Sequence, residues 1–193
     1  MRRISLTLSL AFLTVLFCQA QVTPLKFNKN GEFKIVQFTD IHFQYHNPAS
    51  AIALKRINEV LDAERPDLVV FTGDVVYAAP ADTAMRTVLA CASSRKLPFA
   101  VTFGNHDNEQ GKTHAELYDI IRSMPYNIQP DRGTVESPDY VLVVKSSDGK
   151  KDASVLYCLD SHSYSKLPDV KGYDWLTFDQ VNWYRQQSAA FTA

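Results

Sequence analysis

Three apolar, β-branched runs limit most strongly what this chain can fold into: "EFKIVQFTD" (32–40), "DLVVFTGD" (67–74) and "PFAVTFGN" (98–105). The stretches between them carry helix punctuation. Residues 47–65 open with Asn47 as N-cap and Pro48 in the first turn and stop before Pro66, and a second helix is expected over 81–96. A third is predicted over 113–124, opened by the capping box Thr113 and Glu116. Strands alternating with helices give β-α-β-α-β. The first run reads as alternating and then buried and the second as near-continuously apolar, and together the strands are expected to be buried on both faces of a parallel, helix-covered sheet. The pattern then changes. Residues 139–161 look like two antiparallel strands joined around "SSDGKK", and 177–190 like a last helix capped by Thr177 and Gln180. No repeat, low-complexity tract or Pro/Gly linker interrupts this order, so 21–193 is expected to be one domain of the α/β class.

Residues 1–20 stand apart. Arg2 and Arg3 precede an apolar run from Ile4 to Phe17, and Cys18-Gln19-Ala20 supplies small residues for a cut. This is the pattern of a secretory signal cleaved near Ala20, and it places the mature chain outside the cell or in the periplasm. The run is short for a membrane span, so no transmembrane segment is expected. Bulky Phe17 disfavours acylation at Cys18. Without the two arginines the net charge falls from −1 to −3, and no basic stripe remains for a nucleic-acid duplex. Cys91 and Cys158 remain, either as a disulfide or as two buried thiols, with no CxxC spacing for a thiolate zinc site.

The three strands end in polar clusters: Asp40-Ile-His42, Gly73-Asp74 and Gly104-Asn105-His106-Asp107. Asp40 to Asp74 is 34 residues and Asp74 to Asn105 is 31, each the length of one βαβ unit, so the clusters should meet at one sheet edge. Asp40 and His42 sit two apart at a strand end and can reach one cation, Asp74 can offer an oxygen to each of two, and Asn105 adds a neutral oxygen. Mixed carboxylate, amide and imidazole donors suit iron, manganese or zinc. Two such ions bind phosphate and activate a water, and His106 can give a proton to the leaving oxygen.

These residues, in this order, resemble the calcineurin-like metallophosphoesterases, whose signature begins D-x-H, G-D, G-N-H-D/E. The resemblance covers about residues 33–190. It implies a β-sandwich of two mixed sheets flanked by helices, of which this chain carries the βαβαβ part, two more strands and a helix. It implies further that Asp40 and His42 bind a first metal, Asp74 bridges, and Asn105 binds a second. His106 would be catalytic and non-ligating, and Asn105 and His106 would contact a phosphomonoester or phosphodiester substrate. Asp107 and Tyr77 are expected to stand behind the ligands. "LYCLDSHSYSKLPDVKGYDWLTFDQVNWYR" is similar to secreted purple-acid-phosphatase-type relatives. Its helix-spaced aromatics, Tyr173, Trp175, Phe178, Trp183 and Tyr184, are expected to pack under later strands of the family fold rather than to form a carbohydrate platform.

Two departures shape the expectation. Gly73-Asp74-Val75-Val76-Tyr77 matches the "GDxxY" of true purple acid phosphatases, but those lack the histidine of D-x-H, and His42 is present here. Tyr77 is therefore expected to pack rather than ligate. The family also adds a histidine in a later strand and a G-H-x-H motif, and neither follows here. His46, His114 and His162 are expected to be exposed or hydrogen-bonded loop histidines, with His162 the best placed of them. The chain thus looks like the N-terminal half to two-thirds of a secreted dinuclear phosphoesterase. The alternative is a non-catalytic form that binds metal weakly or not at all.

Overall fold

Parallel pairing in simple sequential order organises the first part of the fold. The computed structural model describes residues 24–135 and 138–192. In it β1 (Ile35–Phe38), β2 (Leu68–Thr72) and β3 (Phe99–Thr102) form a three-stranded sheet in the order 1-2-3. Ile35 lies opposite Leu68, and Val69 opposite Phe99. The crossovers are α1 (Pro48–Glu64) and α2 (Ala81–Ser93), followed by α3 (His114–Arg122). Right-handed crossovers between neighbouring strands put successive helices on one face, and α2 does touch both α1 and α3.

The expected caps are in place. Asn47 accepts a hydrogen bond from the Ala49 amide at 2.9 Å. Past α1, Arg65 turns left-handed (φ 46°) just before Pro66. Thr113 and Glu116 form a reciprocal box at 3.2 and 3.0 Å that starts α3.

β4 (Tyr140–Lys145) and β5 (Asp152–Cys158) form an antiparallel pair, and α4 (Phe178–Thr192) ends the described chain. Tyr140, Leu142 and Val144 alternate inward and join the core built from Val69, Phe71, Phe99 and Val101 with Ile57, Leu61, Met85, Leu89, Leu117 and Ile121. The Tyr140 hydroxyl donates to the Val101 carbonyl at 2.9 Å, tying the hairpin to β3. Residues 127–129 run along the free side of β3, with the Ile128 amide on the Phe99 carbonyl at 3.1 Å. The result is an α/β sandwich of three and two strands flanked by helices.

One expectation is corrected. β1 is not buried on both faces: Ile35 is 40% exposed and Gln37 is exposed, while Val36 and Phe38 reach the core. The cause is topology. β1 is an edge strand, and helices on one face leave the other to half-exposed residues such as Val70, Thr72 and Thr102. The aromatic tail finds no cover among the described residues. Phe178 is 89% exposed, and Tyr173, Trp175 and Tyr184 are exposed as well. Instead, α4 is held by a polar anchor: buried Gln180 accepts from the Thr177 amide (2.8 Å) and donates to the Asp160 carbonyl (2.7 Å) and the Asp139 carboxylate (2.9 Å).

Cys91 and Cys158 are separate buried thiols, and burial pushes both above the usual thiol range. The expected leader over 1–20 lies outside the described residues. No helix among the described residues is long and apolar enough to cross a membrane.

Leu61, 2% exposed, and Ile35 test this layering. Leu61→Ala should cost about 2–5 kcal/mol through its cavity. Ile35→Ala on the open face should cost less than about 1 kcal/mol. Urea denaturation midpoints of the two variants check the difference.

Candidate metal centre

The pairing of β1 with β2 continues past the strand ends. The Asp40 amide donates to the Gly73 carbonyl (3.1 Å), that of His42 to Asp74 (2.9 Å), and that of Phe43 to Val75 (3.1 Å). The two loops therefore run side by side and bring Asp40, His42 and Asp74 to one edge, as the spacing predicted. All three adopt left-handed backbone, with φ of 53°, 45° and 52°. Non-glycine residues in this region cost about 1 kcal/mol or more each, and such positions concentrate at functional sites. Asp and His tolerate the region better than β-branched residues do.

One ligand atom from each of the three lies within 4.8 Å of the others. His42 Nε2 is 3.8 Å from Asp40 Oδ1 and 3.6 Å from Asp74 Oδ2. Those distances are long for hydrogen bonds. They suit donors that surround one cation, since ligands about 2 Å from a metal stand roughly 3–4 Å apart. The Thr39 hydroxyl donates to Asp40 Oδ2 at 2.7 Å and leaves Oδ1 on the His42 side. Two carboxylates and an imidazole fit a cation of the manganese, iron or zinc kind. Among the described residues this is the one cluster of three His, Cys, Asp or Glu donors, and it is incomplete for a four-coordinate ion.

Beneath these donors lies Asp107, 0% exposed. Its Oδ1 accepts from the amides of Val75 (2.8 Å) and Val76 (3.1 Å), and its Oδ2 from Asp74 (3.0 Å) and Gly104 (2.9 Å). Burial pushes this carboxyl up, against the pull of the amides. The sequence placed Asp107 behind the ligands; the structure makes it the clasp between the second and third loops. The glycines explain how closely those loops approach. A Cβ on Gly73 would sit 2.8 Å from the Gly104 Cα, and one on Gly104 would sit 2.1 Å from Asp74 Oδ1. Only glycine fits at either position.

Asn105 and His106 follow on the same loop. The His106 amide donates to Asp74 Oδ1 at 3.0 Å, and its ring centre is 5.3 Å from both His42 and Tyr77. Tyr77 packs edge-on beside the two histidines, 6.0 Å from His42. Asp40, Asp74, Asn105, His162, Tyr173 and Asp174 line a cleft of about 270 Å³.

Three participants were missed from sequence. Glu109 Oε2 lies 2.8 Å from His106 Nδ1, the Tyr164 hydroxyl donates to Glu109 Oε1 at 3.0 Å, and Thr39 braces Asp40. Glu109 had a signal, its position three residues after His106 in a short 3-10 turn (Asp107–Glu109). Tyr164, 59 residues from Asn105, had none.

Of the other histidines, His46 is exposed and His162 meets Gln180 at 3.0 Å, both as expected. His114 is a correction. It is buried and stacked on Phe103 at 4.4 Å, because the first turn of α3 faces the core.

The calcineurin-like phosphoesterase family matches residues 33–189, and the chain belongs to that family. Among curated relatives, it is 32% identical to "Probable inactive purple acid phosphatase 29" of Arabidopsis thaliana, over 88% of this chain and 50% of that protein. It is 30% identical to "Probable inactive purple acid phosphatase 14" of the same plant, over 95% of this chain and 54% of that protein. It is 31% identical to "Phosphatase DCR2" of Saccharomyces cerevisiae, over 78% of this chain and 30% of that protein. The chain thus spans about half the length of the two plant relatives and less of the yeast one.

Two outcomes follow. Asp107→Ala strands four amides; at about 1–3 kcal/mol for each one left unsatisfied, the variant should lose most of its stability, whereas Asp40→Asn should change it little. Thermal melts compare them. The second concerns pH. The bond to Glu109 raises the His106 pKa, and the bond to His106 lowers that of Glu109. The His106 contribution is complete below its unfolded pKa and is lost as pH rises through the raised folded value. That of Glu109 is present above its unfolded pKa and is lost as pH falls through the lowered one. In metal-free protein, NMR titration should find His106 deprotonating above the ordinary histidine range.

Proposed function

We propose that this chain is a metal-binding member of the phosphoesterase family that holds one cation at Asp40, His42 and Asp74 and turns over phosphate esters slowly or not at all. The mutual approach of those three donors carries the reading. Two of the relatives bear the word "inactive" in their names, which supports low turnover. A bound cation would supply positive charge to a phosphate oxygen and lower the pKa of a water. Of this chain's own residues, Asp74 would hold the ion together with Asp40 and His42, Asn105 and His106 would contact the ester, and Tyr77 would pack without ligating. The basic and apolar pattern of residues 1–20 supports export of the mature chain.

The second reading is hydrolysis of phosphomonoesters or diesters by two cations, iron, manganese or zinc, with Asp74 shared and Asn105 on the second. It draws on two observations: Asn105 lines the same cleft as Asp40 and Asp74, and His106 packs against His42.

Manganese titration by calorimetry, with an aryl phosphate assay on the same protein, separates the two. The first reading gives weak binding of one ion per chain, abolished by Asp74→Ala, and negligible rate. Two tightly held ions with rapid turnover would establish the second. His106→Ala should then leave metal content intact and lower the rate by about 10²–10⁴-fold.

A further inference from the structure

We infer that Glu109 is a positioning residue: through Tyr164 it fixes which way round the Asn105 amide sits, and directly it fixes which nitrogen of His106 carries the proton. The inference rests on the reading of this cleft as a cation and phosphate-ester site and assigns it two side chains that act without touching the ester.

Hydrogen-bond direction fixes both orientations. Glu109 is a carboxylate, held below the usual range by His106, and a carboxylate only accepts. The Tyr164 hydroxyl, 3.0 Å from Glu109 Oε1, must spend its single proton on that bond. Its oxygen can then only accept from Asn105, 3.0 Å away, and the donor must be the Nδ2 amide. Oδ1 of Asn105 is left with no hydrogen bond among the described residues, on a side chain that lines the cleft. A tyrosine hydroxyl with a free proton would permit the opposite arrangement, with Oδ1 turned away. At the other end, Oε2 of Glu109 lies 2.8 Å from His106 Nδ1, so the proton of a neutral ring stays on Nδ1.

Tyr164 is held where this requires it. Its backbone pairs with Tyr173, and the rings stack at 5.8 Å. Ser165 and Asp174 amides bond to the Gly172 and Ser163 carbonyls at 3.0 and 3.2 Å, which closes a small hairpin over the cleft. One acidic side chain thus orients two groups of the site, and it does so through a loop from beyond β5.

Glutamine at 109 makes the test sharp. A glutamine has one accepting and one donating end, so it cannot accept from both His106 and Tyr164. One end of the relay must reverse in Glu109→Gln. The probe is the metal-free, ¹⁵N-labelled full chain, studied at a pH where the His106 ring is neutral. Wild type should show His106 in the Nδ1–H form and a protected Asn105 side-chain amide. In Glu109→Gln, either the His106 tautomer moves to Nε2–H or the Asn105 amide loses its protection. Tyr164→Phe should remove only the Asn105 protection and leave the tautomer alone. Both signals unchanged in Glu109→Gln, or an unchanged Asn105 amide in Tyr164→Phe, overturns the inference. These signals need no metal. A wild type that binds no manganese would therefore sink the reading of the cleft as a cation site, while the relay would still be judged by its own spectra.

Discussion

The arrangement depends on one buried carboxylate. Asp107 gathers four backbone amides from two loops that are some thirty residues apart in the chain. Without it, the turn after β2 and the turn after β3 would each need water or another partner for its amides, and the His106 amide on Asp74 Oδ1 would be left to hold them in register. The Gly73–Gly104 contact makes the clasp geometrically feasible by letting two backbones approach to a distance no side chain allows. Charge and shape are thus solved together: the acid supplies acceptors where the glycines have removed bulk. Asp74 inherits its place from this arrangement, since its own amide is one of the four.

Around that clasp the site is layered. The cation donors stand on backbone that runs on from β1 and β2, the Asn105–His106 pair stands on the loop after β3, and the Tyr164 hairpin closes over both from beyond β5. Each layer belongs to a different stretch of chain, and each is tied to the next by a directional hydrogen bond rather than by apolar packing. The open face beside Ile35 and the exposed rings of the C-terminal segment contrast with this. The apolar core is well filled behind the site and thins out toward β1 and α4.

Much of this was legible in the residues. The β-α-β-α-β order, the caps at Asn47 and Thr113, and the convergence of Asp40, His42 and Asp74 all follow from local patterns with short-range causes. What stayed hidden was non-local. Whether β1 is covered depends on which side the crossovers lie and on what packs opposite, and an apolar run looks the same either way. The exposure of Phe178 and the anchoring of α4 by Gln180 were hidden for the same reason: a glutamine near a helix start suggests a cap and says nothing of the Asp139 and Asp160 partners. Asp107 was visible as an acid in a turn, but its partners were not, because they are amides, which every residue has.

The left-handed backbone at Asp40, His42 and Asp74 has a consequence for what kind of device this is. The conformational work of gathering the donors is done when the chain folds, held by the ladder between 40–43 and 73–77 and by Asp107 beneath it. An arriving ion would find its seat already made and would have little left to rearrange. Such a site behaves as a rigid receptor rather than a sensor. Movement in the cleft wall would be left chiefly to the hairpin that carries Tyr164 and Tyr173, which lies outside the clasped loops.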